Sequence, residues 1–172
     1  MISLQLIALS LLAVVSASPL DARATCPGGP NFEGAGISIL GANGFVTPNG
    51  RGHGSPAPFW HIQQTGQPNG GYIFKDIDNN NIALTRNSDG TVTMTPASNS
   101  GTDPNQQFQI VCQSCTGGAS TAPPRTPIAS GCNIRWIGDT SLCLQVGRAP
   151  SDDLFTSSCG SIPGAQNFSF ST

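Results

Sequence analysis

After the first thirty residues, short apolar runs alternate with Gly, Pro and Asn at intervals of roughly ten residues, the pattern of an all-β sandwich or barrel. No helical periodicity competes with it. Asn43-Gly44, Asn49-Gly50, Asn69-Gly70 and Asp89-Gly90 suit tight hairpins that need positive φ. Thr116 to Ser130 (TGGASTAPPRTPIAS) breaks the rhythm. Its Gly, Ser, Thr and Pro read as a linker-like insertion, and the flanking Cys112, Cys115 and Cys132 are expected to staple it to a single domain. The start of the chain differs again. Ile2 to Ala17 carries no charge, and Val15-Ser16-Ala17 offers the small residues of a cleavage site, so residues 1–17 read as a signal peptide. The stretch is short for a membrane span of about 20 residues, and Pro19 and Asp21 follow at once. No membrane insertion is expected. Residues 18–30 are then an N-terminal extension and 31–172 the folded domain.

Internal repetition is the informative signal. Phe59-Trp60-His61-Ile62, Gln107-Phe108-Gln109-Ile110 and Asn167-Phe168-Ser169-Phe170 end three segments alike, with Gln106 and Gln166 two positions ahead of the aromatic in the last two. Lys75-Asp76-Ile77 followed by Ile82-Ala83-Leu84-Thr85 lines up with Arg135-Trp136-Ile137 followed by Leu142-Cys143-Leu144-Gln145. The first segment keeps the order more loosely, with Ile37-Ser38-Ile39-Leu40 leading to Trp60. Trp60 to Phe108 is 48 residues and Phe108 to Phe168 is 60; setting the insertion aside restores a repeat of roughly 45 residues. Three such repeats, each of about four short strands, predict a closed threefold all-β assembly around one shared core. The aromatic and Ile of each terminal strand should then alternate inward.

Composition narrows the partners. Only 9% of residues are charged, against about 25% in an average protein. The net charge is −2, and one Lys and six Arg are scattered rather than aligned, so neither nucleic acid nor an anionic lipid surface is an expected partner. All six cysteines follow the leader, an even number that reads as three structural disulfides with 15 possible pairings. There is no second CxxC, and the two histidines, His53 and His61, lie far from Cys112 and Cys115 in sequence. No metal site and no cofactor is expected.

Leu142-Cys143-Leu144-Gln145-Val146, then Cys159, then Gln166-Asn167-Phe168 resembles the ricin B-chain type β-trefoil, the QxW lectin family. The resemblance covers roughly Phe32 to Ser171 and is most specific in the third repeat. It implies a β-trefoil of three repeats, stapled by a disulfide between Cys143 and Cys159 that closes a loop worth roughly 3 kcal/mol. Three pairings of Cys26, Cys112, Cys115 and Cys132 stay open.

The family binds sugar through an Asp after the first Cys-Leu, a stacking Trp two before the second Cys, and an Asn before the QxW Gln. Paired hydroxyls and an apolar sugar face call for that combination. In the third repeat these slots hold Gln145, Ser157 and Ala165, with Gln166 following. In the second they hold Thr85, Thr95 and Asn105, with Gln106 following; in the first, Leu40 and Ala57 with Pro58. No repeat keeps both the carboxylate and the aromatic. Asn105, Gln106, Thr85, Gln145 and Gln166 are therefore the candidate sugar-binding residues. A competing role for the two glutamines is structural, tying each repeat's backbone together. Trp136 and Tyr72 are candidate displaced platforms, against a core role for each.

Other constellations are poorer. Asp76-Ile77-Asp78-Asn79-Asn80 starts like a calcium loop, but Asn81 and Asn87 stand where Gly and Glu are required. Asp152-Asp153 reads as a solvated turn. His53, in Gly52-His53-Gly54-Ser55, lacks the hydrolase elbow. Asn167-Phe168-Ser169 is a formal glycosylation sequon with a core residue inside it. The resulting expectation is a secreted, extracellular, non-catalytic lectin for neutral glycans, with a leader and composition in the fungal style. Two alternatives remain. One is a trefoil that has lost its sugar site and engages an extracellular protein through residues 116–130, as a protease inhibitor or effector. The other is a secreted hydrolase.

Overall fold

The computed structural model describes residues 31–48, 58–66, 70–98, 100–149 and 152–172. The proposed leader, the extension with Cys26, the Asn49-Gly50 turn, Asn69, His53 and Ala57 lie outside them. The described chain is all-β: β1 (Gly34–Gly41), β2 (Gly44–Phe45), β3 (Trp60–Gln64), β4 (Tyr72–Asp76), β5 (Ile82–Arg86), β6 (Thr91–Pro96), β7 (Phe108–Val111), β8 (Ser114–Cys115), β9 (Pro127–Trp136), β10 (Leu142–Gln145), β11 (Leu154–Ser158) and β12 (Phe168–Ser171), with one 3-10 turn at Pro104–Gln106. Gly44 and Gly90, each second in a predicted turn dipeptide, adopt φ of 111° and 89°, which a side chain would resist.

The antiparallel pairings close on themselves. Following neighbours from β1 through β3, β4, β5, β6, β11, β10, β9 and β12 returns to β1, a circuit of nine strands. Strand β7 bridges β4 and β9, so β1, β3, β4, β7, β9 and β12 also form a smaller ring inside that circuit. Hairpins β5–β6 and β10–β11 stand outside this ring and meet each other through Leu154↔Val92. Every strand of the ring is paired on both sides, which removes the open edges that invite association.

Period-two alternation fills the ring. In β3, Trp60 and Ile62 are buried while His61 is half-exposed; in β12, Phe168 and Phe170 are buried and Ser169 half-exposed. Phe74 packs edge-to-face on Trp60 and on Phe108, with ring centroids 6.3 and 5.8 Å apart. The Trp60 indole N–H donates to the Val46 carbonyl at 2.9 Å, so the largest core side chain leaves no polar atom unmatched. Phe59, one residue out of phase, points to solvent at 45% exposure.

Cys143 and Cys159 form a disulfide across the β10–β11 hairpin, and Cys112 bonds to Cys132 between the end of β7 and the middle of β9. Cys115 is disulfide-bonded as well. The insertion is shorter and better packed than its composition suggests. Pro127–Ser130 belong to β9, pairing with β12 and β8, and Pro127 opens the strand, where a missing N–H costs least. Residues 116–126 fold back on the body. Ala119 is 8% exposed, its N–H donates to the Asn31 carbonyl at 2.8 Å, and Thr172 Oγ1 donates to the Pro123 carbonyl at 2.5 Å.

Two turns depend on carboxylates. Asp89 Oδ1 accepts from the Thr91 hydroxyl and N–H at 2.6 and 2.9 Å; Asp139 Oδ1 accepts from Ser141 in the same way at 2.6 and 3.0 Å. These bonds, the hydroxyl's foremost, hold both carboxyls below their ordinary pKa of 3.8. A carboxyl depressed in the folded state contributes stability above its unfolded pKa and loses it as pH falls through the folded one. Both groups are exposed, so the effect is small. We expect Asp89→Asn/Asp139→Asn to flatten the acid side of the stability-against-pH curve, read as urea midpoints from pH 7 downward. An unchanged acid limb would remove these turns from the account.

Candidate functional site

Gln166 precedes β12 and is fully buried. Its Nε2 donates to Ser157 Oγ (2.8 Å) and the Ser158 carbonyl (3.0 Å), and its Oε1 accepts from the Gly160 N–H at 2.7 Å. Gln106 repeats this arrangement around β5–β6. Its Nε2 donates to Thr85 Oγ1 (3.1 Å), Thr95 Oγ1 (3.3 Å) and the Pro96 carbonyl (2.8 Å), and its Oε1 accepts from the Ser98 N–H at 2.7 Å. Backbone bonds match too: Ile82 N–H to Asn79 O and Leu142 N–H to Asp139 O, both 3.0 Å, then Ala97 N–H to Asn81 O and Cys159 N–H to Ser141 O, both 2.8 Å. The two glutamines thus spend their amides on hairpin backbone. Thr85 is buried and bonded to Thr95 and to the Ala83 carbonyl, while Asn105 is exposed and only its N–H is engaged, by Asp103. Thr85, Asn105 and Gln106 therefore do not converge on an open face.

The displaced platforms are occupied as well. The Arg86 guanidinium lies 4.3 Å over the Trp136 ring, whose N–H donates to the Pro104 carbonyl at 2.8 Å. Arg86 Nε also donates to Thr156 Oγ1 at 2.9 Å, tying the two outer hairpins together. Tyr72 is 9% exposed and edge-on to Phe32; burial raises its hydroxyl above the ordinary pKa.

An open cleft does occur beside Gln145. About 660 Å³ in volume, it lies along the outer face of β10–β11 and is bounded by Arg148, Asp152, Asp153, Phe155, Ser157 and Ile162. Strand register builds it. Gln145 pairs directly with Phe155, and Phe155 and Ser157, two apart in β11, share its face. Gln145 is buried, at 3% exposure, and its Oε1 accepts from Ser157 Oγ at 2.5 Å, so it backs the cleft wall rather than presenting a free amide. Gly147 lets Asp152 approach the backbone closely: a Cβ there would sit 2.0 Å from that of Asp152, whose Oδ2 accepts the Ala149 N–H at 2.9 Å. Phe155 is half-buried and Ile162 is 44% exposed, so an aromatic and an aliphatic surface stand beside two carboxylates, a guanidinium and serine hydroxyls. Convergent acceptors and donors next to apolar carbon suit a polyhydroxylated ligand.

Of the sequence-named residues, the cleft contains Gln145; Gln166 supports it from behind through Ser157; Thr85, Asn105 and Gln106 lie elsewhere. The acidic pair, read from sequence as a solvated turn, stands on its rim. Phe155 was not legible from the disulfide: Cys143 stands opposite Ser157, and a register that set Cys143 against Cys159 would have put Ser157, not Phe155, across from Gln145. His61 Nδ1 is 2.8 Å from Asn80 Oδ1 on an exposed face. The calcium-like run is a set of turns closed by Asp76 Oδ1 to the Asp78 N–H and Asn79 Oδ1 to the Asn81 N–H. Among the described residues no group of three acidic, His or Cys side chains could hold a metal, and no helix is long and apolar enough to cross a membrane.

The sequence matches no family model and no curated protein. Its fold is similar to that of part of a solved mosquitocidal holotoxin, at TM-score 0.55 and 17% identity over 81% of this chain. The chain spans 17% of the holotoxin's length, and the likeness concerns the fold alone.

Proposed function

We propose that this chain is a secreted β-trefoil of the ricin B-chain type that binds neutral glycans, without catalysis, in the β10–β11 cleft. The matched glutamine networks of Gln106 and Gln166 support a repeat, and the inner six-strand ring with its outer hairpins supports the trefoil. Disulfides are compatible with an extracellular protein. The observation that carries the binding reading is the cleft, where half-buried Phe155 offers a stacking face beside the exposed Asp152 and Asp153. The carboxylate and aromatic missing from their family slots are replaced there by neighbours on the same hairpin. Two carboxylates against one guanidinium disfavour acidic sugars, which points to uncharged ones.

A glycan-array screen of the secreted protein tests this. Phe155→Ala and Asp153→Ala are expected to weaken binding at least about tenfold, the equivalent of 1.4 kcal/mol, with unchanged circular dichroism. Asn105→Ala should bind as wild type. Loss in Asn105→Ala with retention in Phe155→Ala would move the site to the β5–β6 hairpin, and a protein that binds no glycan would sink the lectin reading. The rival reading, a protein partner at residues 116–130, is favoured by exposed Arg125 and Pro124 beside Phe59 in a groove of about 350 Å³. Arg125 has φ of 63°, however, and so does not offer the extended strand that a protease binds.

A further inference from the structure

The chain holds twelve asparagines, and Asn167 alone is followed by the x-Ser/Thr that marks a glycosylation acceptor. From sequence, the core aromatic inside that motif argues against its use. Strand geometry answers the objection. In β12 the alternation buries Phe168 and Phe170 and turns Ser169 outward, to half-exposure, opposite Leu40. Asn167, two positions before Ser169, is exposed just ahead of the strand. The two residues that define the motif therefore share the outer side of the chain, and only the spacer is core. The Asn167 side chain makes no hydrogen bond to another described residue, and the neighbouring backbone is held independently: Asn133 Nδ2 donates to the Gln166 carbonyl at 2.7 Å. A glycan on Asn167 displaces no packed group.

We propose that Asn167 is an N-glycosylation site, an inference that rests on the secretory reading. In the transfer, Asn167 Nδ2 forms a bond to C1 of an oligosaccharide carried on a lipid pyrophosphate. The C1–O bond to that pyrophosphate breaks, the lipid pyrophosphate leaves, and one amide proton is lost to the transferase's base. A transferase needs the motif as a free extended chain, and Ser169 is in the β12 ladder to β1 once folded, so the acceptor is reached before β12 pairs with β1 and β9. Modification therefore precedes closure of the ring.

The full chain, expressed through a eukaryotic secretory pathway, is read by intact mass and by peptide N-glycosidase treatment, which leaves Asp at the position it strips. The expected result is one glycan, mapped to Asn167. It should be absent in Asn167→Gln and Ser169→Ala, retained in Ser169→Thr, and Asn167→Gln should keep the wild-type melting temperature. A secreted protein that has lost its leader, formed its disulfides and has bare polypeptide mass would overturn the assignment while leaving the secretory reading intact. A chain that keeps its leader and stays in the cell would overturn both.

Discussion

Gln106→Ala and Gln166→Ala are each expected to lower the unfolding free energy by about 2–3 kcal/mol, and by the same amount within about 1 kcal/mol. Each truncation takes away every bond of a buried amide. It leaves a cavity and frees one hairpin N–H (of Ser98 or Gly160) and one carbonyl (of Pro96 or Ser158). Pro96, Ser158 and Gly160 are exposed, so water recovers part of the loss, which is why the figure sits at the lower end for a buried network. Guanidinium unfolding of the two single variants decides it. Near-equal costs support two copies of one structural unit. A cost below about 0.5 kcal/mol in one and above 2 kcal/mol in the other would mean that the networks look alike but carry different loads. Because Gln166 also holds Ser157 behind Gln145, its loss should weaken glycan binding, whereas the loss of Gln106 should not.

Removing the Cys143–Cys159 bridge as Cys143→Ser/Cys159→Ser is expected to cost about 3 kcal/mol, the chain-entropy value for a loop of this size. The bridge spans 16 residues and closes the hairpin that forms the cleft. Strand β11 is otherwise held by its ladder to β10, by two residue pairs to β6, by the Arg86–Thr156 bond and by the Gln166 bonds. The double variant should therefore fray at β11 first. Amide exchange should rise across residues 142–158 before it rises in β3 or β4, and glycan affinity should fall with it. A loss below about 1 kcal/mol would show that pairing and the Gln166 network hold the hairpin without the bridge. Uniform exchange throughout the domain would show that the hairpin and the ring unfold as one unit.

The sequence alone determined the all-β class, the turn glycines at Gly44 and Gly90, the inward aromatics of β3, β7 and β12, and the like positions of Gln106 and Gln166, whose choice between a sugar and their own hairpins it left open. Each of these follows from local rules. A period of two sorts a strand's faces, a positive φ selects Gly, and a Gln ahead of a core aromatic recurs at a readable interval. The sequence did not determine the cleft. Thr85 and Gln145 occupy like places in their hairpins, and both are buried, at 9% and 3% exposure, and bonded to a hydroxyl of the facing strand, yet a cleft opens beside Gln145. What separates them is the loop after Gly147, which carries Asp152 and Asp153 to the rim, and the register that sets Phe155 opposite Gln145. Residues adjacent in sequence have no fixed direction in a loop, and a cross-strand neighbour is defined only once pairing is set. Trp136 makes the same point: its apolar face is equally suited to a sugar or a guanidinium, and the docking of β5–β6 against β11 brought Arg86 onto it. Local periodicity specifies which residues face inward. Whether an outward residue is free or covered depends on contacts between hairpins far apart in sequence, and only tertiary structure supplies those.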